Sequence, residues 1–331
     1  MTRTMSRRRF IRISAAAAGL AVAPIGRSVQ AGSSLVTWHG TMLGAVATMQ
    51  IHHQDRDEAQ RLVQAACAEA RRLERLFSLY LEDSALVGLN RSGILVDPAA
   101  ELVDLLKLSQ HFAEVTGGRF DPTVQPLWTL YADHFLQANA DPAGPPQSSV
   151  QTALAHVGYD RLTISSDRIV MPRGTAVTLN GIAQGYVTDK IVDLLRSRGV
   201  VRSVVDMGET RAIGSRPDGR PWEIGIADPD VAGRTAAILP IIDRAVSTSG
   251  AYGFRFDQQG RFNHLFDPVT GGCADRYRSL TTVSGSATAA DALSTAFSLM
   301  SGPEIRSVLP RVDIERVHLI DAAGAAFDIV E

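Results

Sequence analysis

Leu179-Asn180-Gly181-Ile182-Ala183-Gln184-Gly185-Tyr186 is the stretch from which the rest of the chain is read. An extended apolar approach enters a glycine-punctuated turn, and beyond it Val187, Ile191, Leu194 and Leu195 recur at helical spacing until Gly199, a natural helix end. The pattern predicts a strand, a tight turn and a helix in succession. Glycines at such a turn let phosphates approach the backbone and the free N–H groups of a helix N-terminus, where negative charge is favoured. The spacing is neither G-x-G-x-x-G nor the lysine-bearing P-loop, and a purely structural turn has the same composition.

Toward the N-terminus, residues 161–164 and 168–171 read as a hairpin turned by Ser165-Ser166-Asp167, and the alternation over 47–51 as a half-buried strand. Residues 57–77 carry Leu62, Ala66, Ala70, Leu73, Leu76 and Phe77 on one helical stripe. A second helix is expected over 99–115, stopped by Gly117-Gly118. The Pro-, Ala- and polar-rich stretch 138–149 reads as an exposed loop and the best linker candidate. Toward the C-terminus, short strands are expected at 201–205, 222–226, 237–242, 280–283 and 316–320, with one helix over 289–300. Runs of strands between well-separated helices predict an α+β protein rather than a regularly alternating doubly wound sheet.

The chain has 331 residues, 45% of them hydrophobic, enough for a sizeable core. Its 33 basic and 35 acidic residues nearly balance and no basic stripe is interleaved with aromatics, so a nucleic-acid partner is not expected. At the N-terminus, Ser6-Arg7-Arg8-Arg9-Phe10-Ile11-Arg12 precedes an apolar stretch over 13–22 and then Val29-Gln30-Ala31. That is the pattern of a twin-arginine export signal occupying 1–31, which leaves 32–331 as the mature protein. The apolar stretch falls short of the ~20 residues of a spanning helix, so the expectation is a soluble periplasmic protein that meets a membrane only through a partner. Cys67 and Cys273 have neither zinc nor redox spacing, and either one disulfide or two buried thiols suits an oxidising compartment.

Chemistry is expected in four further segments. Gly118-Arg119-Phe120-Asp121-Pro122-Thr123-Val124-Gln125-Pro126-Leu127 follows a helix and is stiffened by two prolines, which suits either a preordered ligand contact or a rigid connection. Thr288-Ala289-Ala290-Asp291-Ala292-Leu293-Ser294-Thr295 opens a helix and places Asp291 and Thr295 one turn apart on the same face. A carboxylate with a hydroxyl suits magnesium, which takes few protein ligands; the alternative is a helix start with Thr288 as cap and Asp291 in the first turn. The remaining two are Ser247-Thr248-Ser249-Gly250-Ala251-Tyr252 and Asn263-His264-Leu265-Phe266-Asp267-Pro268-Val269-Thr270-Gly271. His264 is a candidate base near neutral pH or a structural residue. No G-x-S-x-G elbow supports an acyl-transfer serine.

In their order these segments resemble the FAD:protein FMN transferase family, the ApbE-like flavin transferases. Leu43-Gly44-Ala45, Ser78-Leu79-Tyr80, 120–127, 178–186, 248–252, 264–271 and 290–296 correspond to that family's successive motifs. The resemblance implies a two-lobed α+β fold with FAD between the lobes. Tyr80 and Phe120-Asp121-Pro122 would line the flavin or adenine site, and Leu43, Thr178, Gln184 and Tyr252 would also contact FAD. Magnesium would be held by the Gly181 carbonyl, Asp291 and Thr295. FMN would pass from FAD to a Thr or Ser hydroxyl of an exported acceptor flavoprotein, with AMP as leaving group and His264 as candidate base. Thr178, Asn180 and Gln184 replace the family's Asp, Gly and Lys, and with Val205-Asp206-Met207-Gly208-Glu209 they look like the branch serving nitrous oxide respiration. A non-catalytic periplasmic FAD-binding protein and a magnesium-dependent FAD pyrophosphatase are the competing readings.

Overall fold

A computed structural model describes residues 34–330; the expected export segment, 1–31, lies outside them. In chain order, strands β1 (Ser34–Met42) and β2 (Ala45–His53) are followed by helices α1 (Arg56–Phe77) and α2 (Ala85–Ser92), strand β3 (Ile94–Val96), and helices α3 (Ala100–Val115), α4 (Gln125–Phe135) and α5 (Gln147–Leu154). Strands β4 (Thr163–Ile164) and β5 (Arg168–Val170) lead to helix α6 (Ala183–Ser197) and strands β6 (Ser203–Asp206), β7 (Thr210–Ile213), β8 (Trp222–Ala227), β9 (Thr235–Ile241), β10 (Ala245–Ser249) and β11 (Tyr277–Ser284). Helices α7 (Ala287–Phe297) and α8 (Gly302–Val308) and strands β12 (Ile314–Asp321) and β13 (Ala326–Val330) complete the order.

The main sheet has eight strands in the order β1-β2-β6-β7-β10-β11-β12-β13, with every neighbouring pair antiparallel. Adjacent residues point to opposite faces, as the two-residue period of a strand requires. Val205 joins Met49, Ile51, Leu73, Ile191 and Leu293 in the large core under α1, α6 and α7, whereas Val204 joins Trp222, Ile224 and Leu239 under the β8–β9 ribbon on the other face. The α1 stripe buries Leu62, Ala66, Ala70, Leu73 and Phe77 as its spacing predicts, and Asp55 caps the helix by accepting from the Asp57 and Glu58 N–H groups at 2.8 and 3.0 Å.

A smaller lobe is built from α4, α5 and the loops between Phe254 and Cys273. Its core is aromatic: Tyr131 lies 5.1 Å from Phe266 and 5.6 Å from Phe262, centroid to centroid, and Phe254 meets Phe256 edge-on at 5.0 Å. The stretch read as a linker lies within this lobe. Arg261 donates to the Pro142 carbonyl, and α5 begins at Gln147, so the segment joins two helices of one lobe rather than two domains.

The approach to the decisive turn also differs from its expected form. After a turn closed by the Thr175 N–H donating to the Pro172 carbonyl at 3.1 Å, residues 175–178 have no ladder partner. Instead the Asn90 side chain donates to the Val177 carbonyl at 2.8 Å and accepts from the Val177 N–H at 2.7 Å, and the Thr178 N–H donates to the Pro122 carbonyl at 2.7 Å. An amide side chain supplies the two bonds that a neighbouring strand would make. Cys67 is buried in α1 and Cys273 is half-buried, and both are free thiols. Among the described residues, no helix is long and apolar enough to cross a membrane.

Candidate active site

The site is organised by two helices that cap one another. The Gly185 N–H, in the first turn of α6, donates to Asp291 Oδ2 at 3.0 Å. In return Asp189 of α6 accepts from the Ala287 and Thr288 N–H groups, each at 2.9 Å, and from the Ser286 and Thr288 hydroxyls. Each helix thus satisfies N–H groups that would otherwise be orphaned at the other's N-terminus, with charge that complements the helix dipole. This close approach requires glycine at 185: a Cβ there would lie 2.2 Å from the Ala287 carbonyl oxygen and 2.8 Å from Asp291 Cβ. The capping alternative for α7 is corrected at the same point. Ser286 is the N-cap residue, Thr288 gives its hydroxyl to Asp189, and Asp291 lies beyond the first turn.

One cavity of about 1480 Å³ opens between the two lobes. It is lined by Leu43, Tyr80, Phe120, Asp121, Pro122, Thr178, Gly181, Gln184, Tyr252, His264, Asp291 and Thr295 together, which includes every side chain and backbone position singled out in the sequence. Leu43 enters it from the tip of the β1–β2 hairpin, where Leu43 and Gly44 have φ of 51° and 77°. Positive φ at both central residues is the type I′ geometry that matches strand twist, and it is unusual for leucine. Gly181 packs against Thr295, since a Cβ at 181 would lie 3.1 Å from Thr295 Oγ1. Asn180 Nδ2 donates to the Tyr80 hydroxyl at 3.3 Å, so one of the residues that departs from the family pattern braces an aromatic wall of the cavity.

Several of these residues also have partners within the protein. Both oxygens of Asp121 are engaged within the protein: Oδ1 accepts from the Thr123 N–H and hydroxyl at 2.7 and 2.5 Å, and Oδ2 from the Tyr159 N–H at 2.9 Å. Asp121 therefore holds the loop in shape, and Phe120 and Pro122 supply its apolar surface. Gln184 lies against Gly208, where a Cβ would come within 2.5 Å of Gln184 Cδ. Tyr252 is half-buried, and burial pushes the pKa of its hydroxyl up.

Buried carboxyls concentrate beneath the cavity. Burial, together with nearby Asp189, pushes the Asp291 carboxyl up to about 7 against the favourable Gly185 N–H. Burial and nearby Asp291 hold the Glu209 carboxyl well above its ordinary range, against smaller favourable influences of the Ser247 hydroxyl and the Thr248 N–H. Two buried carboxyls in each other's field, beside a hydroxyl and a backbone turn, form a hard-oxygen donor set that suits magnesium. Among the described residues no three His, Cys, Asp or Glu side chains group into a metal site, and magnesium does not need such a group because it keeps phosphate and water oxygens in its shell.

His264 Nδ1 faces the Phe254 carbonyl at 3.3 Å. A proton on Nδ1 makes that bond and leaves Nε2 as the acceptor. Burial lowers the imidazole's pKa to about 4, so it is neutral at pH 7.

The sequence reading did not single out Glu209 as a site residue, nor the α4 wall of Trp128, Thr129, Ala132 and Leu136. The i, i+4, i+8 spacing of Trp128, Ala132 and Leu136 is a helical signal that could have found the wall. Glu209 carries no such signal.

Over residues 43–318 the chain matches the ApbE family, and it belongs to that family. A FAD:protein FMN transferase of Klebsiella pneumoniae (strain 342) is 27% identical over 306 residues, covering 89% of this chain and 87% of that protein. One from Treponema pallidum (strain Nichols) is 32% identical over 247 residues, 67% of each chain. Among solved structures, the ApbE protein of Thermotoga maritima superposes with a TM-score of 0.77 at 28% identity, covering 89% of this chain and 96% of that one. The flavin transferase ApbE of Vibrio cholerae gives 0.76 at 26% identity, with 90% and 97% covered. The α+β architecture with its two lobes is the fold of the ApbE flavin transferases.

Proposed function

We propose that this chain is a magnesium-dependent FAD:protein FMN transferase that moves the FMN half of FAD onto a Thr or Ser hydroxyl of an exported acceptor flavoprotein. The observation that carries the proposal is the convergence of Asp291, Thr295, Gly181 and His264 on one interlobe cavity large enough for a dinucleotide. FAD binds in that cleft, with Tyr80, Phe120 and Pro122 as its aromatic and apolar walls and Leu43, Thr178, Gln184 and Tyr252 around it.

Asp291, Thr295 and the Gly181 carbonyl would hold magnesium, which would neutralise charge on the diphosphate as its phosphoanhydride bond is cleaved. His264 is neutral at working pH and takes the acceptor's hydroxyl proton on Nε2 while that oxygen bonds to the FMN phosphorus. AMP carries away the electron pair of the broken P–O bond. The rest of the catalytic work is positioning, for which helices that cap each other form a rigid base.

The Arg7-Arg8 signal supports periplasmic export of the folded enzyme. The Leu179–Tyr186 and Val205–Glu209 variants support an acceptor that belongs to nitrous oxide respiration. The test incubates mature protein with FAD, magnesium and a candidate acceptor, and weighs the acceptor: a mass gain of one FMN in wild type and none in Asp291→Ala is expected. Free release of FMN and AMP without labelling of any acceptor would establish the pyrophosphatase instead, and tight FAD binding with neither product would establish a binding protein.

A further inference from the structure

We propose that Glu209 is a second carboxylate ligand of the magnesium ion, so that the ion is held by two carboxylates rather than by Asp291 alone. The inference deepens the reading of the cleft given above and rests on it. Four carboxylic side chains are buried among the described residues: Asp121, Asp206, Glu209 and Asp291. Three of them are hydrogen-bonded within the protein, Asp121 by Thr123 and Tyr159, Asp206 by Gly208 and Thr210, and Asp291 by the Gly185 N–H. Glu209 is only 6% exposed, yet no donor among the described residues is hydrogen-bonded to its carboxyl. The Ser247 hydroxyl and the Thr248 N–H favour its charge without forming such a bond, and Ser247 Oγ lies 3.1 Å from Ser294 Oγ instead.

A buried carboxyl without a partner is costly, and such groups in native proteins are paired or coordinate metals. The partner of Glu209 has to come from the cavity, which Glu209 lines together with Gly181, Asp291 and Thr295. The backbone brings Glu209 to the same helix turn as Asp291. Glu209 ends the tight turn between β6 and β7, and that turn is fastened to the start of α6 at two points. Gly208 lies against Gln184, where a Cβ would come within 2.5 Å of Gln184 Cδ, and the Thr188 hydroxyl donates to the Glu209 carbonyl at 2.9 Å. Between those contacts lies Gly185, whose N–H holds Asp291 Oδ2 at 3.0 Å. Both carboxyls are thus anchored to one turn of α6 and line one cavity. Magnesium satisfies them together, since it is bound through one or two carboxylates while phosphate and water oxygens complete its shell. A hydroxyl or amino group of FAD would give Glu209 a partner but leave the two like charges uncompensated.

Mn²⁺, as a paramagnetic stand-in for magnesium, is titrated into FAD-free mature protein, and its binding is followed by loss of the free-ion EPR signal. Glu209→Gln keeps the volume and removes the charge. It should weaken binding by roughly 10–100-fold or more, since even the loss of a group that only supports a metal ligand costs that much. Asp206→Asn removes a nearby buried charge that does not line the cavity, and should weaken binding far less. Pulsed EPR in deuterated water counts the waters on the bound ion, and Glu209→Ala should hold one more than wild type. Without metal at pH 7, Glu209→Gln should be the more stable protein, because a buried unpaired carboxyl is gone, and Mn²⁺ should raise its Tm less than it raises that of wild type.

A merely structural Glu209 predicts the reverse order of stability, with ion affinity unchanged in the folded variant, and that result overturns the proposal. So does an unchanged water count in Glu209→Ala, or a loss in Asp206→Asn as large as in Glu209→Gln, which would assign the effect to charge alone. If Glu209 meets FAD rather than the ion, FAD binding in the presence of a chelator falls in Glu209→Gln while Mn²⁺ affinity holds, and the proposal is again overturned. Should Glu209→Ala not fold, Glu209→Gln carries the decision through its affinity and stability. A wild type that shows the expected pattern yet labels no acceptor keeps Glu209 as a ligand and overturns only the transferase reading. A wild type that binds no Mn²⁺ overturns the proposal.

Discussion

Asp206 closes strand β6 at the edge of the site, and its charge should work against the fold. Burial pushes its carboxyl from 3.8 up to about 6, despite the Gly208 N–H donating to Oδ1 at 2.9 Å and the Thr210 hydroxyl to Oδ2 at 3.3 Å. The folded-state value is raised, so between pH 4 and 6 the native state binds the proton more tightly than the unfolded chain. Stability from this group is therefore fully present below the unfolded value and is lost as pH rises through the folded one. A shift of about two units corresponds to roughly 3 kcal/mol lost by pH 7.

Asp206→Asn removes that loss. Its Oδ1 still accepts from the Gly208 N–H and its Nδ2 donates to Thr210, at a cost of about 1 kcal/mol for exchanging a charged acceptor for a neutral one. The variant should gain about 2 kcal/mol at pH 7, some 3–5 °C in Tm for a chain of this size, and should be slightly less stable than wild type at pH 4, where little charge penalty remains to offset the exchange cost. Urea unfolding of both proteins in half-unit steps from pH 4 to 7.5 measures the difference; distant titrating groups cancel between them, while Glu209, whose carboxyl the Asp206 charge pushes up, adds to the gain at neutral pH. A gap that stays constant across this range, or widens toward pH 4, would refute the assignment of the charge penalty to Asp206.

Gly185→Ala should destabilise by about 1–3 kcal/mol as α6 and α7 are forced apart, and should weaken Mn²⁺ binding, read by EPR, more than it weakens FAD binding; unchanged ion affinity would show that the helix contact does not set Asp291. His264→Ala should retain FAD and magnesium dependence while acceptor labelling slows by roughly 10²–10⁴-fold, the range of a general base. Equal labelling by mutant and wild type, followed by mass over time, removes His264 from proton transfer. Arg7→Lys with Arg8→Lys should leave folded precursor in the cytoplasm, because the export receptor reads the arginine pair itself; wild-type periplasmic activity in a fractionation would point to another route.

Which parts of this molecule could be read from its sequence follows from how far apart in the chain the partners lie. The α1 stripe was legible because a helix face is defined by residues three and four apart, and the stop of α3 at Gly117-Gly118 because left-handed φ values of 60° and 80° are a local need. Helix α4 was missed because two prolines suggested a loop, although Pro126 lies in its first turn, where no intrahelical N–H is needed. Strand β10 was missed for a different reason. Ala245-Val246-Ser247-Thr248-Ser249 has no apolar alternation, because the Ser247 and Ser249 hydroxyls face α7 across a buried polar seam instead of a hydrophobic core.

The site divides in the same way. Asp291 and Thr295 are one turn apart and share a face from spacing alone, so they could be paired before any fold was known. The partners that give them their properties could not, because Gly185 comes from 106 residues away and Ser249 from 46. Glu209 reaches Asp291 only after β7 and β10 have been paired and α7 laid across them. A residue of this kind has no motif of its own: burial and the nearby Asp291 carboxyl set its properties, and both are decided by tertiary contact. Polar seams between a strand and a helix are therefore where sequence reading is blindest. They also cannot be left half-satisfied without a large energetic cost, so following each proton along such a seam is the step by which a structure adds to what the sequence had shown.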